Sequence, residues 1–526
     1  MPYKYPKVLL INAPDYNDRR GGEPLGLGYL SAFLKKHAFT CDILDGNSAG
    51  PKKISRQEIV KIAARKKYDL VGMAVYTHIF YNTLNLAKDI KKRLPKTKMV
   101  LGGHHATFSY KELLRKYPFV DFIVRGEGEL TLLELARRMK EKKDFKAVKG
   151  LVYRSGKNII VNPPRPLIKD LNRLPYPERD ESRYRRQPKR WRGASLISSR
   201  GCPYRCSFCS ISAFYKAQPG TSYRMRSPSG IAKEIESLVK KFNIKQVAFK
   251  DDNMFVDAKR LVKVTDILTS KGISLKYNII ARPDNIVENE KYIPVLKKRG
   301  FTSCEVGIEA GSVGMLKRYR KDVSVNTNRK AVEILRKNDM NALLDLIMFE
   351  PDMTLQDFRE NIDFVKELGI TPFLHHAFIF GSLLHSIDLH PGTAYYERMR
   401  KEGRLKGGIF RPRWDFKDKN MQKIYKFVKK YKKTLRKRIR TLKKLRREKL
   451  IELNIKKRDD KTLDDRLGRA ELKHLDYDID RVYLELLDKA LTIGKRFNFS
   501  DRGFSEVKKS VEKRLKTLKE KILTTT

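Results

Sequence analysis

The sequence predicts an α/β chain built as two parallel βα series, followed by a helical and strongly basic C-terminal region. Three observations carry that prediction. Short apolar runs alternate with amphipathic stretches over residues 1–145 and again over 195–400. A proline-rich connector, 146–194, separates the two series. Within a last region, 401–526, the strand signal stops from about Trp414, and apolar residues recur at three- and four-residue steps.

In the first series, residues 7–11, 40–44, 70–75, 98–101 and 122–124 read as strands, with a first helix over 25–37. Strands alternating with helices of this length predict a parallel, doubly wound sheet. Ligands of such sheets sit beyond the carboxyl ends of the strands, where Gly72, Gly102, Gly103 and Gly126 fall. A glycine there either lets the backbone approach a bulky ligand or makes a tight turn. The connector contains Asn162-Pro163-Pro164-Arg165-Pro166 and Leu174-Pro175-Tyr176-Pro177, a density of proline that predicts a stiff linker without regular structure. The second series places strands at 195–198, 246–249, 274–280, 303–308, 342–348 and 372–379. Six βα units predict a partial barrel with its chemistry at the carboxyl ends of the strands. In the tail, Ile424, Phe427, Tyr431, Leu435, Ile439, Leu442 and Leu445 form one apolar helix face, and residues 421–450 hold 15 basic residues against the single acid Glu448.

Composition narrows the function classes. With 526 residues, 40% hydrophobic and 10% aromatic, the chain is too apolar to be wholly disordered. No apolar run reaches the roughly 18 residues of a membrane span, and MPYKYPKVLLINAP turns polar too soon for a secretory signal. Five cysteines are too few for a disulfide scaffold, and three of them cluster. The net charge of +54 favours anionic partners, although it is also compatible with a merely solvated lysine-rich surface.

The densest chemical signal is Gly201-Cys202-Pro203-Tyr204-Arg205-Cys206-Ser207-Phe208-Cys209, directly after the first strand of the second series. Structural zinc sites usually close on four ligands supplied in pairs, and the other cysteines, Cys41 and Cys304, are remote and lie in predicted strands. Three thiolates on one loop can hold three irons of a [4Fe–4S] cluster and leave the fourth open. A zinc site completed by a histidine, or purely structural cysteines, are the competing readings. Cys304 is expected to be buried and inert.

On these residues the chain resembles the radical S-adenosylmethionine (SAM) superfamily. The resemblance implies Cys202, Cys206 and Cys209 as cluster ligands and Phe208 near the adenine of SAM. Lys250-Asp251-Asp252-Asn253, Ala281-Arg282-Pro283-Asp284 and Gly307-Ile308-Glu309-Ala310-Gly311-Ser312 match later strand ends in order. They imply Asp251, Arg282 and Glu309 as SAM-contacting groups. Phe349-Glu350-Pro351-Asp352-Met353-Thr354 keeps the Pro and Thr of a further family pattern but lacks its glycine.

The first series is similar to the cobalamin-binding, Rossmann-like domain fused to one branch of that superfamily. The carrying segments are Glu23 to Leu30, Asp45, Asp69 to Gly72, Leu101 to Ala106 and Asp121 to Glu129. They imply Gly26, Gly72, Gly102, Gly103, His104, Gly126 and Glu127 as cofactor-binding residues. Pro14-Asp15-Tyr16-Asn17-Asp18 stands where classical cobalamin domains carry a cobalt-ligating histidine, and it has none. His78 and His105, like His104, fall at strand ends, while His375, His376, His385 and His390 surround the last predicted strand. All of these are either loop histidines or candidates for proton transfer.

The resemblance implies a cobalamin-dependent radical enzyme with a [4Fe–4S] cluster, SAM and cobalamin. It would be a C-methyltransferase acting on an unactivated carbon through a 5′-deoxyadenosyl radical. Oxidative cyclisation or ring rearrangement is the alternative within that branch. Sulfur insertion fits less well, because methylthio-transferring relatives carry three cysteines in the N-terminal half, where this chain has Cys41 alone. The implied partners are a flavodoxin- or ferredoxin-type electron donor and an anionic or lipid-like substrate, and the implied compartment is an oxygen-poor cytoplasm. The apolar stripe of the tail helix can pack on the barrel or lie on anionic lipid at a membrane surface. No nucleic-acid recognition motif accompanies it.

Overall fold

The computed structural model describes residues 6–16, 22–47, 53–189, 192–369, 383–459 and 466–525. The first series runs β1 (Val8–Asn12), α1 (Leu25–Lys36), β2 (Cys41–Asp45), α2 (Arg56–Ala64), β3 (Leu70–Ala74), α3 (Phe80–Arg93), β4 (Lys98–Gly102), α4 (His104–Lys116), β5 (Phe122–Val124) and α5 (Glu129–Glu141). These strands pair in parallel in the order β2-β1-β3-β4-β5. Both faces are covered, so the strands are continuous apolar runs rather than alternating ones. Leu9, Ile11, Val71, Met73, Leu101 and Ile123 pack to one side. Val8, Leu10, Leu70, Val100, Phe122 and Val124 pack to the other, with Leu27, Phe33 and Leu135.

The connector departs from expectation. β6 (Leu151–Ser155) and β7 (Asn158–Val161) form an antiparallel hairpin that extends the sheet from β5. The physical reason is that every proline of the segment lies beyond Val161. Leu151-Val152-Tyr153 and Ile159-Ile160 are therefore free to pair, and Gly156 turns the chain at φ +58°. The following strap is not free either. Glu178 N–H donates to Gly28 O (3.0 Å), and a Cβ on Gly28 would stand 2.6 Å from Glu178 O. Gly28 is thus a close-approach glycine of α1, and Lys35 holds the Glu178 carboxylate at 2.6 Å. After the strap comes the short α6 (Glu181–Arg186).

The second series runs β8 (Gly193–Leu196), β9 (Ser199–Arg200), α7 (Ser210–Lys216), β10 (Arg224–Met225), α8 (Pro228–Phe242), β11 (Gln246–Phe249), α9 (Ala258–Thr269) and β12 (Lys276–Ala281). It continues with α10 (Pro283–Glu288), α11 (Ile293–Lys298), β13 (Phe301–Glu309), α12 (Val313–Tyr319), α13 (Val325–Lys337), β14 (Asn341–Leu346) and α14 (Leu355–Leu368). This is the βα succession of a partial barrel. The sixth expected strand, 372–379, with His375 and His376, lies outside the described residues. Then come α15 (Ala394–Lys401), the two-residue strands β15 (Leu405–Lys406) and β16 (Arg413–Trp414), and three long helices: α16 (Lys419–Asp459), α17 (Arg466–Arg496) and α18 (Asp501–Thr524).

The chain divides into two compact units. One comprises 1–280, 294–302 and 389–413; the other comprises 281–293, 303–388 and 414–526. In the first, β8 pairs with β11 and β11 with β12, all parallel. In the second, β13 pairs in parallel with β14, with a register shift between Gly307 and Glu309. The apolar stripe of α16 is covered: Met421, Ile424, Val428, Leu435 and Ile439 are buried, and α16 contacts both α17 and α18. Of the alternatives for that stripe, packing is the one observed, though the partners are helices rather than the barrel strands. No helix among the described residues is long and apolar enough to cross a membrane.

Candidate functional site

In the first unit, the carboxyl ends of β1, β3, β4 and β5 open into a cavity of about 430 Å³. Gly26, Gly72, Gly102, Gly103, His104, Gly126 and Glu127 all line it. Their roles differ. A Cβ on Gly26 would meet nothing within 4 Å, so this glycine opens space. Gly72 is instead a packing glycine, since a Cβ there would stand 2.8 Å from Leu10 Cδ2. Gly103 (φ +88°) and Gly126 (φ +75°) sit in the left-handed region that makes the strand-end turns. The wall is otherwise mostly apolar, with Leu10, Leu27, Leu30, Met73, Val100 and Val124. An open, apolar, glycine-lipped floor fits a broad, flat macrocycle such as cobalamin.

His104 lies in this wall, its ring packed at a tilt against Phe214 with the centroids 4.2 Å apart. Burial lowers its pKa to about 4, so the ring is neutral at physiological pH. His105 turns the other way, against Phe80 (5.0 Å), and its Nδ1 meets Thr77 Oγ1 (3.0 Å), which also meets His390 Nδ1 (3.2 Å). His78 pairs with Asp15 at 3.5 Å and His385 with Asp388 at 3.7 Å, both side chains being largely exposed.

The far wall of the same cavity is supplied by Ile197, Ser199, Arg200, Phe214, Tyr215, Lys250 and Asp252. These residues bracket the cysteine loop: Arg200 precedes it, and Phe214 and Tyr215 belong to α7, which starts at Ser210. The loop is held by carboxylates and by backbone. Gly201 N–H donates to Asp252 Oδ2 (2.9 Å), and Gly201 itself is at φ +82°. Cys209 N–H donates to Cys206 O (3.3 Å), and the N–H groups of Ile211 and Ser212 point at Cys209 sulfur. Asn253 Nδ2 lies 4.0 Å from Cys202 Sγ. Burial raises the Cys209 thiol to about 12, with the nearby thiols of Cys206 and Cys202 adding to the effect. Among the described residues no three acidic, imidazole or thiol groups converge as a mononuclear site requires. A [4Fe–4S] cluster asks for no such convergence, because each thiolate takes a different iron. Three half-buried thiols on one braced loop fit that group.

Asp251 and Asp252 divide the work expected of the first alone. Both Asp251 oxygens accept from Ser198 N–H (3.1 and 3.0 Å), and Oδ1 also accepts from Ser198 Oγ (2.7 Å) and Ser199 Oγ (2.5 Å). Asp251 is therefore a buried brace of the loop, and Asp252 is the carboxylate on the cavity wall. Burial raises Asp252 to about 6, and the charge of Asp251 adds to it. Glu127, implied as cofactor-binding, receives Arg200 (2.9 Å) and Arg224 (2.9 Å), while Arg200 also reaches Glu129 (2.6 Å). These arginines were not singled out from the sequence. The only signal was the position of Arg200 immediately before Gly201-Cys202.

In the second unit, Arg282 is turned onto Asp284 (3.0 Å) and Lys321 O (2.5 Å). Glu309 sits at φ +64° and pairs with Lys321 (2.9 Å). Asp345 is raised to about 8 by burial and by the charges of Glu305 and Glu309. Thr354 of the departed motif caps α14 in a capping box with Asp357, and Glu350 pairs with Arg318 at 2.7 Å. Cys304 is fully buried and its thiol pKa is raised by burial. Phe208 is half-buried on the cysteine loop.

Residues 20–136 match the family model of the B12 binding domain, and residues 196–365 match that of the radical SAM superfamily. The chain is similar to an uncharacterized methyltransferase of Pyrococcus horikoshii, 29% identical over 375 residues, covering 70% of this chain and 79% of that protein. It is also similar to the anaerobic magnesium-protoporphyrin IX monomethyl ester cyclase of Rubrivivax gelatinosus, 28% identical over 377 residues, covering 69% of this chain and 66% of that one. The solved structure of OxsB, a cobalamin-dependent S-adenosylmethionine radical enzyme with aqua-cobalamin and S-adenosylmethionine bound, has the same fold. Its TM-score is 0.76 at 19% identity, over 99% of this chain and 80% of that one. With both domain models matched in sequence order on one chain, the protein belongs to the cobalamin-binding-domain-containing radical SAM enzymes, whose cofactors are a [4Fe–4S] cluster, SAM and cobalamin.

Proposed function

We propose that the protein is a radical C-methyltransferase that methylates an unactivated carbon of its substrate. One observation carries the reading: a single cavity has the glycine-lipped strand ends as one wall and the flanks of the cysteine loop as the other. Transfer between two bound groups needs reacting atoms at about 3–3.5 Å, and only sites that open onto common space meet that condition. When bound, the cluster with SAM supplies a substrate-abstracting radical and cobalamin supplies the methyl group.

The chain's own residues position and shield. Cys202, Cys206 and Cys209 hold the cluster, with Asp251, Asp252 and Asn253 bracing their loop. Gly26 leaves room for the macrocycle, Gly102, Gly103 and Gly126 shape the strand ends beside it, and neutral His104 fills its wall without adding charge. Tyr29, Tyr76, Phe214 and Tyr215 line the cavity with rings that exclude water. Arg282, Glu309 and Phe208 are assigned to SAM on the order of their motifs. A reductant is required, and the basic surface suits a small acidic flavodoxin- or ferredoxin-type donor in a reducing cytoplasm.

The test uses anaerobically reconstituted full chain, reductant, and SAM carrying a deuterated methyl group. Formation of 5′-deoxyadenosine together with deuterium in the corrin fraction is expected. Deoxyadenosine without any methyl label leaving SAM overturns methyl transfer. That outcome favours the cyclisation alternative, and the Rubrivivax relative is named a cyclase.

A further inference from the structure

The basic tail has a defined groove. α16 and α18 run parallel: Phe427 stacks on Phe504 at 4.6 Å, Arg438 pairs with Glu512 at 2.6 Å, and Leu442 and Leu515 share the floor of a groove of about 580 Å³. Lys513, Lys516 and Lys519 stand along one rim at three-residue steps, all exposed, so they project from one helix face. Among the described residues Lys513 and Lys519 have no carboxylate partner. Continuing the same register brings Ile451 level with the last turn of α18, where Leu523 stands. These two are 49% and 54% exposed, whereas the other described apolar residues of α16 and α18 are buried or half-buried.

We propose that this face, with the Lys513–Lys516–Lys519 rim and the exposed Ile451 and Leu523, docks the protein on an anionic phospholipid surface. The lysines meet headgroup phosphates and the two aliphatic side chains enter among the uppermost acyl methylenes. The mode is peripheral, because the main apolar stripe of α16 is already spent on α17 and α18.

Nucleic acid fits less well. Sequence-tolerant strand binding needs free aromatic faces, and those of α16 are engaged. Phe427 stacks on Phe504, Tyr431 donates to Glu512 (2.6 Å), and Tyr425 packs against Phe349 (5.2 Å) and Trp414 (5.6 Å). Exposed Ile451 and Leu523 have no counterpart on a phosphate backbone, whereas lipid supplies one. The inference is independent of the reaction proposed above.

Full-chain protein is sedimented with vesicles of phosphatidylcholine alone and of phosphatidylcholine mixed equally with phosphatidylglycerol. Binding to the anionic vesicles only, lost as the salt rises from 0.1 to 0.5 M, is expected, since the screening length falls from about 10 Å to about 4 Å. The combined Lys513→Glu, Lys516→Glu and Lys519→Glu variant is expected to lose on the order of a hundredfold in partitioning, from about fivefold per lysine near an anionic surface. The Ile451→Ser, Leu523→Ser variant, which changes no charge, loses severalfold. Circular dichroism and iron content check that both variants fold. Equal binding to neutral vesicles overturns the proposal, as does no binding to either kind. An unchanged partition in the lysine variant overturns the groove by assigning the attraction to the remaining basic surface. Tighter retention of bulk transfer RNA than of anionic vesicles at equal salt replaces lipid with nucleic acid as the partner.

Discussion

The two walls of the central cavity are built by opposite means. On the doubly wound side the wall is shape: glycines at strand ends, aliphatic side chains, and a histidine held neutral by burial. On the cysteine-loop side the wall is donor chemistry: three thiols on one bend, two adjacent aspartates bracing it, and arginines locked by Glu127 and Glu129. The difference teaches that a large cofactor can be held by removing atoms, whereas a cluster needs specific atoms placed. Substitutions should therefore fail differently on the two sides.

The largest expected effect is on the donor side. Cys202→Ala, Cys206→Ala and Cys209→Ala together abolish 5′-deoxyadenosine formation while corrin content stays near wild type. Equal loss of corrin breaks the comparison, because the two walls would then not be separable. Next comes Gly201→Ala. At φ +82° its Cβ would collide with Ser222 O, a backbone atom that cannot swing away. Iron incorporation drops to a small fraction of wild type, measured against protein concentration. Glu127→Gln removes a carboxylate shared by Arg200 and Arg224 in a buried setting, a change that costs about 3–5 kcal/mol, and it lowers the melting temperature by several degrees.

On the shape side, Gly26→Leu fills open space and reduces corrin occupancy about tenfold with iron unchanged, read from the visible spectrum after reconstitution. The smallest effect is at His104. Its folded pKa of about 4 lies below the ordinary 6.5. The stability of the neutral ring is thus full above 6.5 and is lost as pH falls towards 4. His104→Phe keeps the ring but not the titration. Its melting temperature matches wild type at pH 7.5 and exceeds it by a few degrees at pH 5. Corrin loss in this variant at pH 7.5 shows that charge or hydrogen bonding, and not shape, matters on that wall.

How much of this was legible depends on sequence distance. The helix over 25–37 and the strands of both series came from apolar periodicity, which burial on two sheet faces imposes locally. The hairpin Leu151–Val161 was obscured by the prolines that follow it, because composition averaged over a segment hides where its breakers stop. Asp251 and Asp252 are adjacent and lie just beyond the end of β11, where no regular alternation sets their directions. Which of them faces the cavity depends on how the strand end is set against Ser198 and Gly201, more than fifty positions away.

By itself the sequence determined the three-thiol loop, the glycine-marked strand ends and the amphipathic period of α16, since each is fixed by spacing within a few turns of chain. Only the tertiary structure decided what those features face. It set the cysteine loop's flanks opposite the glycine lips, locked Arg200 and Arg224 onto Glu127, and covered the α16 stripe with α17 and α18, leaving its lysines outside. Those outcomes follow from long-range packing and charge pairing. Their energy depends on distances between residues far apart along the chain, which no local pattern encodes.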